Sequence, residues 1–148
     1  MAEGKVLTGA GLRGQVAGKT ALSTVGKSGA GLTYRGYDVQ DLAENCQFEE
    51  VAYLIFFGEL PTAEQLATYK AKLKSLRQLP QALKEVLERI PADSHPMDVM
   101  RTGVSMLGNL ETEQSFAEQQ DVADRILATL PAIICRWDLC SHDGVRIE

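Results

Sequence analysis

The sequence has no apolar run long enough to cross a membrane. Its longest, Val51 to Phe57, falls far short of the ~20 residues that a bilayer requires. The opening MAEGKVLTGAG lacks the apolar core of a secretory signal. Cysteine is scarce and odd in number (Cys46, Cys135 and Cys140), which excludes a disulfide framework and fits a reduced, cytoplasmic setting. There are only two histidines, His95 and His142, so any histidine-dependent nucleophilic chemistry has to use one of them. Positive charge is in deficit: 15 Lys and Arg against 20 Asp and Glu leave a net charge of −5. Nucleic-acid binding, which needs a basic footprint, is therefore not expected. What remains is ordinary globular composition, 45% hydrophobic and 24% charged over 148 residues, the size of one domain.

Glycine and charge are unevenly distributed. Nine of the 13 glycines lie at or before Gly36. Residues 1–36 also carry Lys5, Arg13, Lys19, Lys27 and Arg35 against Glu3 alone, while the rest of the chain is acidic. Each Gly costs a helix ~1 kcal/mol against Ala, so this first segment is read as non-helical. Two strand-like runs, Thr20 to Val25 and Gly31 to Arg35, flank the turn signal Lys27-Ser28-Gly29-Ala30 and predict a small β-hairpin. The organisation expected is a Gly-rich segment over 1–36 and a helical body over 37–148.

The helical body is punctuated by caps and prolines. Asp38 suits the N-cap of a short helix to Asn45, with Val39 and Leu42 inward. Phe48 to Phe57 is apolar nearly all round, the pattern of a buried helix, and Gly58 suits its C-terminal cap. Thr62 and Gln65 form a capping box for a helix to about Arg77, with Leu66, Tyr69, Leu73 and Leu76 on one face. Pro80 opens a helix that Pro91 ends. His95-Pro96 opens another, with Met97, Met100, Val104 and Leu107 as its stripe, before a polar loop over Asn109 to Gln114. Phe116 to Cys140 is a long helical pattern in which Pro131 predicts a kink or break, and SHDGVRIE adds no packed closing element.

Few motifs carry chemistry. Gly9 to Gly14 satisfies G-x-G-x-x-G, but no strand precedes it and no helix follows, so it is not read as a dinucleotide site. Gly18-Lys19-Thr20 and Gly26-Lys27-Ser28 each lack the upstream Gly of a phosphate-binding loop. Cys135, Cys140 and His142 lack zinc-site spacing, and buried, unreactive thiols are the simpler reading; no metal is expected. Lys70, Lys72, Lys74 and Arg77 form a basic cluster that by default is a solvated face. If it meets an anion, Lys72 is the candidate.

Taken in order, ALSTVGKSGAGLTYRGYDVQDLAENCQFEEVAYLIFFGELPT (Ala21 to Thr62) and HPMDVMRTGVSML (His95 to Leu107) resemble the N-terminal part of citrate synthase-type enzymes. TVGKSG and HPMDVMRTG look most like the bacterial 2-methylcitrate synthases of that family. The resemblance implies the helical large domain of a two-domain, cytoplasmic homodimer, associating through the Met97–Leu107 helix region. It implies condensation of propionyl-CoA or acetyl-CoA with oxaloacetate in propionate or tricarboxylic acid metabolism. No cofactor is implied beyond the coenzyme A thioester substrate. The family's catalytic His, His and Asp belong with motifs of the form HGGANE and GHPVY. Neither occurs here, so those residues are expected beyond Glu148 and none is assigned in this chain. By resemblance, Arg13 in GLRG approaches a coenzyme A phosphate, and Arg35 in RGYD is structural. The leading expectation is thus a part of a condensing enzyme that is inactive alone and leaves apolar faces uncovered. The alternatives are a non-enzymatic helical dimerisation module and a part of citrate synthase proper.

Overall fold

A computed structural model describes residues 18–25 and 31–146. Three two-residue strands, β1 (Ser23–Thr24), β2 (Thr33–Tyr34) and β3 (Tyr37–Asp38), form an antiparallel sheet in that order. Ser23 pairs with Tyr34, Thr24 with Thr33, and Tyr34 with Tyr37. The expected hairpin is therefore present but shorter, and a third strand joins it. The Lys27–Ala30 turn lies outside the described residues. Arg35 and Gly36 link β2 to β3 with φ of 50° and 92°. Positive φ at both central residues is the mark of the two-residue hairpin turn whose twist matches its strands. Because β3 pairs with β2, the sheet runs past residue 36 and up to the first helix.

Among the described residues six α-helices follow: α1 (Val39–Asn45), α2 (Phe48–Phe57), α3 (Ala63–Ser75), α4 (Gln81–Leu87), α5 (Pro96–Leu110) and α6 (Gln119–Asp143). A single 3-10 turn, Phe116–Glu118, leads into α6. The caps fall where the residues place them. Asp38 accepts from the Gln40 amide at 2.8 Å. Thr62 and Gln65 exchange hydrogen bonds, and Gly58 ends α2 with φ 92°. A second capping box, Gln47 with Glu50, starts α2 and was not read from the sequence.

Two apolar clusters meet on α6. In the first, Leu79, Leu83 and Leu87 pack with Val99 and Leu107 of α5 and with Ile133 and Trp137 of α6. In the second, Ala52 of α2 and Tyr69 and Leu73 of α3 pack on Ala128 of α6. Each cluster removes several large side chains from water, worth roughly 1.5–3 kcal/mol apiece. Gly103 lets α5 approach α6 closely: a Cβ there would lie 2.6 Å from Ile133 Cγ2.

Several expectations need correction. α6 continues through Pro131 for 25 residues instead of breaking. Pro131 is exposed, and buried residues on both sides (Ala128, Thr129, Ile133, Trp137) hold the two halves in one line against the core. The lost hydrogen bond is outweighed by this packing. α6 also runs on to Asp143. It closes at Gly144, in left-handed conformation, with the Val145 amide donating to Leu139 O at 3.0 Å. α5 extends to Leu110, into the expected loop, and α3 stops at Ser75, two residues before Arg77. The buried face of α5 is Val99, Gly103 and Leu107, while Met97 is 61% exposed. α2 is not buried all round, since Phe48, Phe56 and Phe57 are exposed. Cys135 is exposed and Cys46 and Cys140 are half-buried, so the thiols are not a buried set. Among the described residues, no helix is long and apolar enough to cross a membrane.

Candidate functional site

Both histidines have local roles. His95 caps α5, its Nδ1 accepting from the Met97 amide at 3.2 Å. His142 Nδ1 lies 3.3 Å from Asp138 Oδ1, one turn earlier on α6, and its ring meets the edge of Trp137. Among the described residues, no group of three or more His, Cys, Asp or Glu side chains could hold a metal ion.

The polar chemistry is concentrated where α3 crosses α6. Asp124 is fully buried. Its Oδ1 accepts from the Tyr69 hydroxyl at 2.9 Å and from Gln120 Nε2 at 3.1 Å, and its Oδ2 from Lys72 Nζ at 2.7 Å. Lys72 also reaches Asp121 Oδ1 at 2.8 Å. Helical spacing assembles this set: Tyr69 and Lys72 are neighbours on one face of α3, and Gln120 and Asp124 on one face of α6. A buried carboxylate persists only when charge and hydrogen bonds compensate its desolvation, and here three donors do so. Burial and the adjoining carboxylate push the Tyr69 phenol well above its ordinary range. Hydrogen bonds to Asp121 and Asp124 raise the Lys72 ammonium. The Tyr69 ring stands edge-on to Tyr53 and Phe57, with centroids 5.5 and 6.0 Å away. No sequence motif singles out Asp124. Its spacing of four from the buried Ala128, on the inward side of α6, is the signal that could have found it.

A second polar centre, Arg125, gathers the ends of two helices and the loop after α3. Its Nε and Nη2 grip Glu111 in a fork at 2.8 and 2.6 Å. Its Nη1 donates to the carbonyl oxygens of Leu76 and, at 2.9 Å, Gln78. Glu111 is the residue that ends α5, and Leu76 the one that ends α3. Hydrogen bonding from Arg125 holds the Glu111 carboxyl below its ordinary range. Beside this clamp lies a groove of about 480 Å³ whose lining includes Val104, Leu107, Val122 and Ile126 together with Glu113 and Glu118. At the far end of α6, Arg136 and Arg146 both engage Glu88 of the turn after α4, at 2.5 and 3.2 Å.

These arrangements join helices; they do not assemble an acid, a base and a nucleophile. Lys72, the candidate anion ligand, has its ammonium on two carboxylates of α6, not on an open basic face. Arg13 lies outside the described residues. Arg35 does have a structural contact: its Nη2 and Nε donate to Ile55 O at 2.8 and 3.3 Å.

Comparison with known proteins gives this scaffold its context. A family model described as citrate synthase, C-terminal domain, matches residues 11–148. A 2-methylcitrate synthase of Shewanella oneidensis is 75% identical over 148 residues, 100% of this chain and 40% of that protein. The 2-methylcitrate synthase 2 of Corynebacterium glutamicum is 45% identical over 140 residues, 93% of this chain and 36% of that protein. The crystal structure of citrate synthase from Pyrobaculum aerophilum has the same fold, with a TM-score of 0.77 and 29% identity over 93% of this chain and 37% of that one. The chain spans less than half the length of the relatives it matches. Its ordered sequence landmarks, its helical architecture and these matches agree: the chain belongs to the citrate synthase family.

Proposed function

We propose that this chain is part of a 2-methylcitrate synthase-type acyltransferase of propionate catabolism that works as a cytoplasmic homodimer. The reaction joins the α-carbon of propionyl-CoA to the ketone carbon of oxaloacetate; water then cleaves the thioester, giving 2-methylcitrate and free coenzyme A. Acetyl-CoA, giving citrate, is the alternative acyl donor. The observation that carries this reading is 75% identity to a 2-methylcitrate synthase along the whole chain.

A thioester α-proton is weakly acidic, so its removal needs a positioned base and donors to the developing enolate. The described residues offer no such set, and the motifs that hold the family's catalytic His residues are absent from this sequence. In this reading the chain supplies the helical scaffold, held at Asp124, Arg125 and Glu88. Arg13 supplies a cation for a coenzyme A phosphate, and the Met97–Leu107 helix region takes part in association. Measuring free thiol from propionyl-CoA and oxaloacetate tests this. The 148-residue chain is expected to release none, and turnover by it alone would overturn the claim of incompleteness. An enzyme containing this chain is expected to turn over, with a higher kcat/KM for propionyl-CoA than for acetyl-CoA. The reverse preference would support citrate synthase proper.

A further inference from the structure

Asp124 is fully buried, and among the described residues its one ion-pair partner is Lys72, with Nζ 2.7 Å from Oδ2. Tyr69 and Gln120 also donate to it, but neutral donors bond its oxygens without offsetting its charge. Asp121, which is exposed, holds the same ammonium at 2.8 Å. Lys72 itself is not buried. Its side chain is 41% exposed and lines a recess of about 300 Å³ with Tyr53, Gln65, Thr68 and Tyr69 among others. A reagent in solvent therefore reaches the cation on which a buried carboxylate depends.

We infer that Lys72 is an acylation site whose modification and a closed α3–α6 joint exclude each other. Acylation by a thioester needs the neutral amine. Nζ attacks the carbonyl carbon, a C–N bond forms as the C–S bond breaks, and the thiol leaves with the proton that the amine gives up. In the folded chain, hydrogen bonds to Asp121 and Asp124 keep this amine protonated, so folding guards it. The converse follows from the product, an amide with no charge. Its single N–H still donates to one oxygen, but Asp124 is then buried without a cation. Removing one partner of a buried pair is strongly destabilising. Lys74, on the same helix, is exposed and supplies the internal control. Acyl-CoA thioesters are the donors, and that identity alone rests on the acyl-CoA reading above; the effect of the modification on folding does not.

The test has two arms, both on the 148-residue chain. In the first, Nε-propionyl-lysine is installed in place of Lys72 or, as the control, of Lys74, and urea unfolding is followed by circular dichroism. The folding equilibrium constant should fall about a hundredfold with the modification at Lys72. At Lys74 it should change less than about threefold. The same modification at Lys72 is then made in Asp124→Asn, where no buried charge is left to compensate. There it should change the constant by less than about tenfold. A chain modified at Lys72 that is as stable as the parent would overturn the inference. So would one that Asp124→Asn leaves equally impaired or equally unfolded, since the cause would then be shape and not charge. In the second arm the unmodified chain is kept with excess propionyl-CoA until Lys74 is modified, and both sites are quantified by mass spectrometry. Lys72 should react at least about tenfold more slowly than Lys74 in the folded chain, and at a similar rate in denaturing urea. Similar rates in the folded chain, or a Lys72 that stays slower in urea, would show that folding does not guard it and would equally overturn the inference.

Discussion

Gly103 offers a sharp test of how α5 and α6 are packed. Replacing it with Ala puts a methyl 2.6 Å from Ile133 Cγ2 and 3.2 Å from Cδ1, where carbon atoms normally stand 3.5–4.0 Å apart. Something must move by about 1 Å. Ile133 is fully buried and β-branched, so its Cγ2 cannot swing away by a rotamer change, and the helices themselves must part. Overpacking of this kind costs about 1–3 kcal/mol, against a gain of ~1 kcal/mol from replacing Gly within a helix. The net expectation is a loss of about 1 kcal/mol, a fall in Tm of roughly 2–4 °C for a chain of this size. Ile133→Ala alone should cost more, about 2–5 kcal/mol, because it leaves a cavity. In the double variant the new methyl no longer meets Cγ2, and the two changes should fall short of additivity by about 1–2 kcal/mol. Urea unfolding of the four proteins, followed by circular dichroism, measures all of these terms. A Gly103→Ala protein as stable as the parent, combined with an additive cycle, would refute the close approach of α5 and α6.

Two further predictions concern pH, one on the acid side and one on the alkaline side. Glu111 has its folded-state pKa lowered by Arg125, so the stability it contributes is present above the ordinary carboxylate range and lost as pH falls through the depressed value. Glu111→Gln should therefore lower stability at neutral pH and flatten its decline between about pH 5 and 3, as read from urea midpoints across that range. Tyr69 and Lys72 both have raised pKa values, so their contribution is intact below about pH 10 and lost as pH rises beyond it, when the unfolded chain releases those protons first. Alkaline unfolding followed by tyrosine absorbance should begin above pH 10. Tyr69→Phe should weaken that dependence while costing about 1–2 kcal/mol at neutral pH for the lost bond to Asp124. An unaltered alkaline limb in Tyr69→Phe would count against the buried Tyr69–Asp124 contact.

The boundary signals that the sequence carries are local, and the fold obeys them. Asp38, Thr62, His95 and Gly58 cap helices because a cap needs only a side chain and amides within a few residues. The departures come from longer range. Pro131 should break an isolated helix, yet buried contacts on both sides carry α6 through it. Met97 lies on the stripe by period but outside the core, because Gly103 draws the Val99–Leu107 face against α6.

Caps, periodicity and ordered landmarks were enough to establish a helical body, its approximate element boundaries and its family. Those signals lie within single elements or in the order of residue types along the chain. Which polar groups would be buried, and beside what, was settled by tertiary packing alone. Asp124 meets Tyr69 from 55 positions away, and Arg125 reaches the chain near Leu76 across 49. A carboxylate on a helix looks the same in sequence whether it faces water or a tyrosine. Only the crossing of α3 over α6 decides which, because desolvation and its compensating hydrogen bonds exist only once the two helices meet.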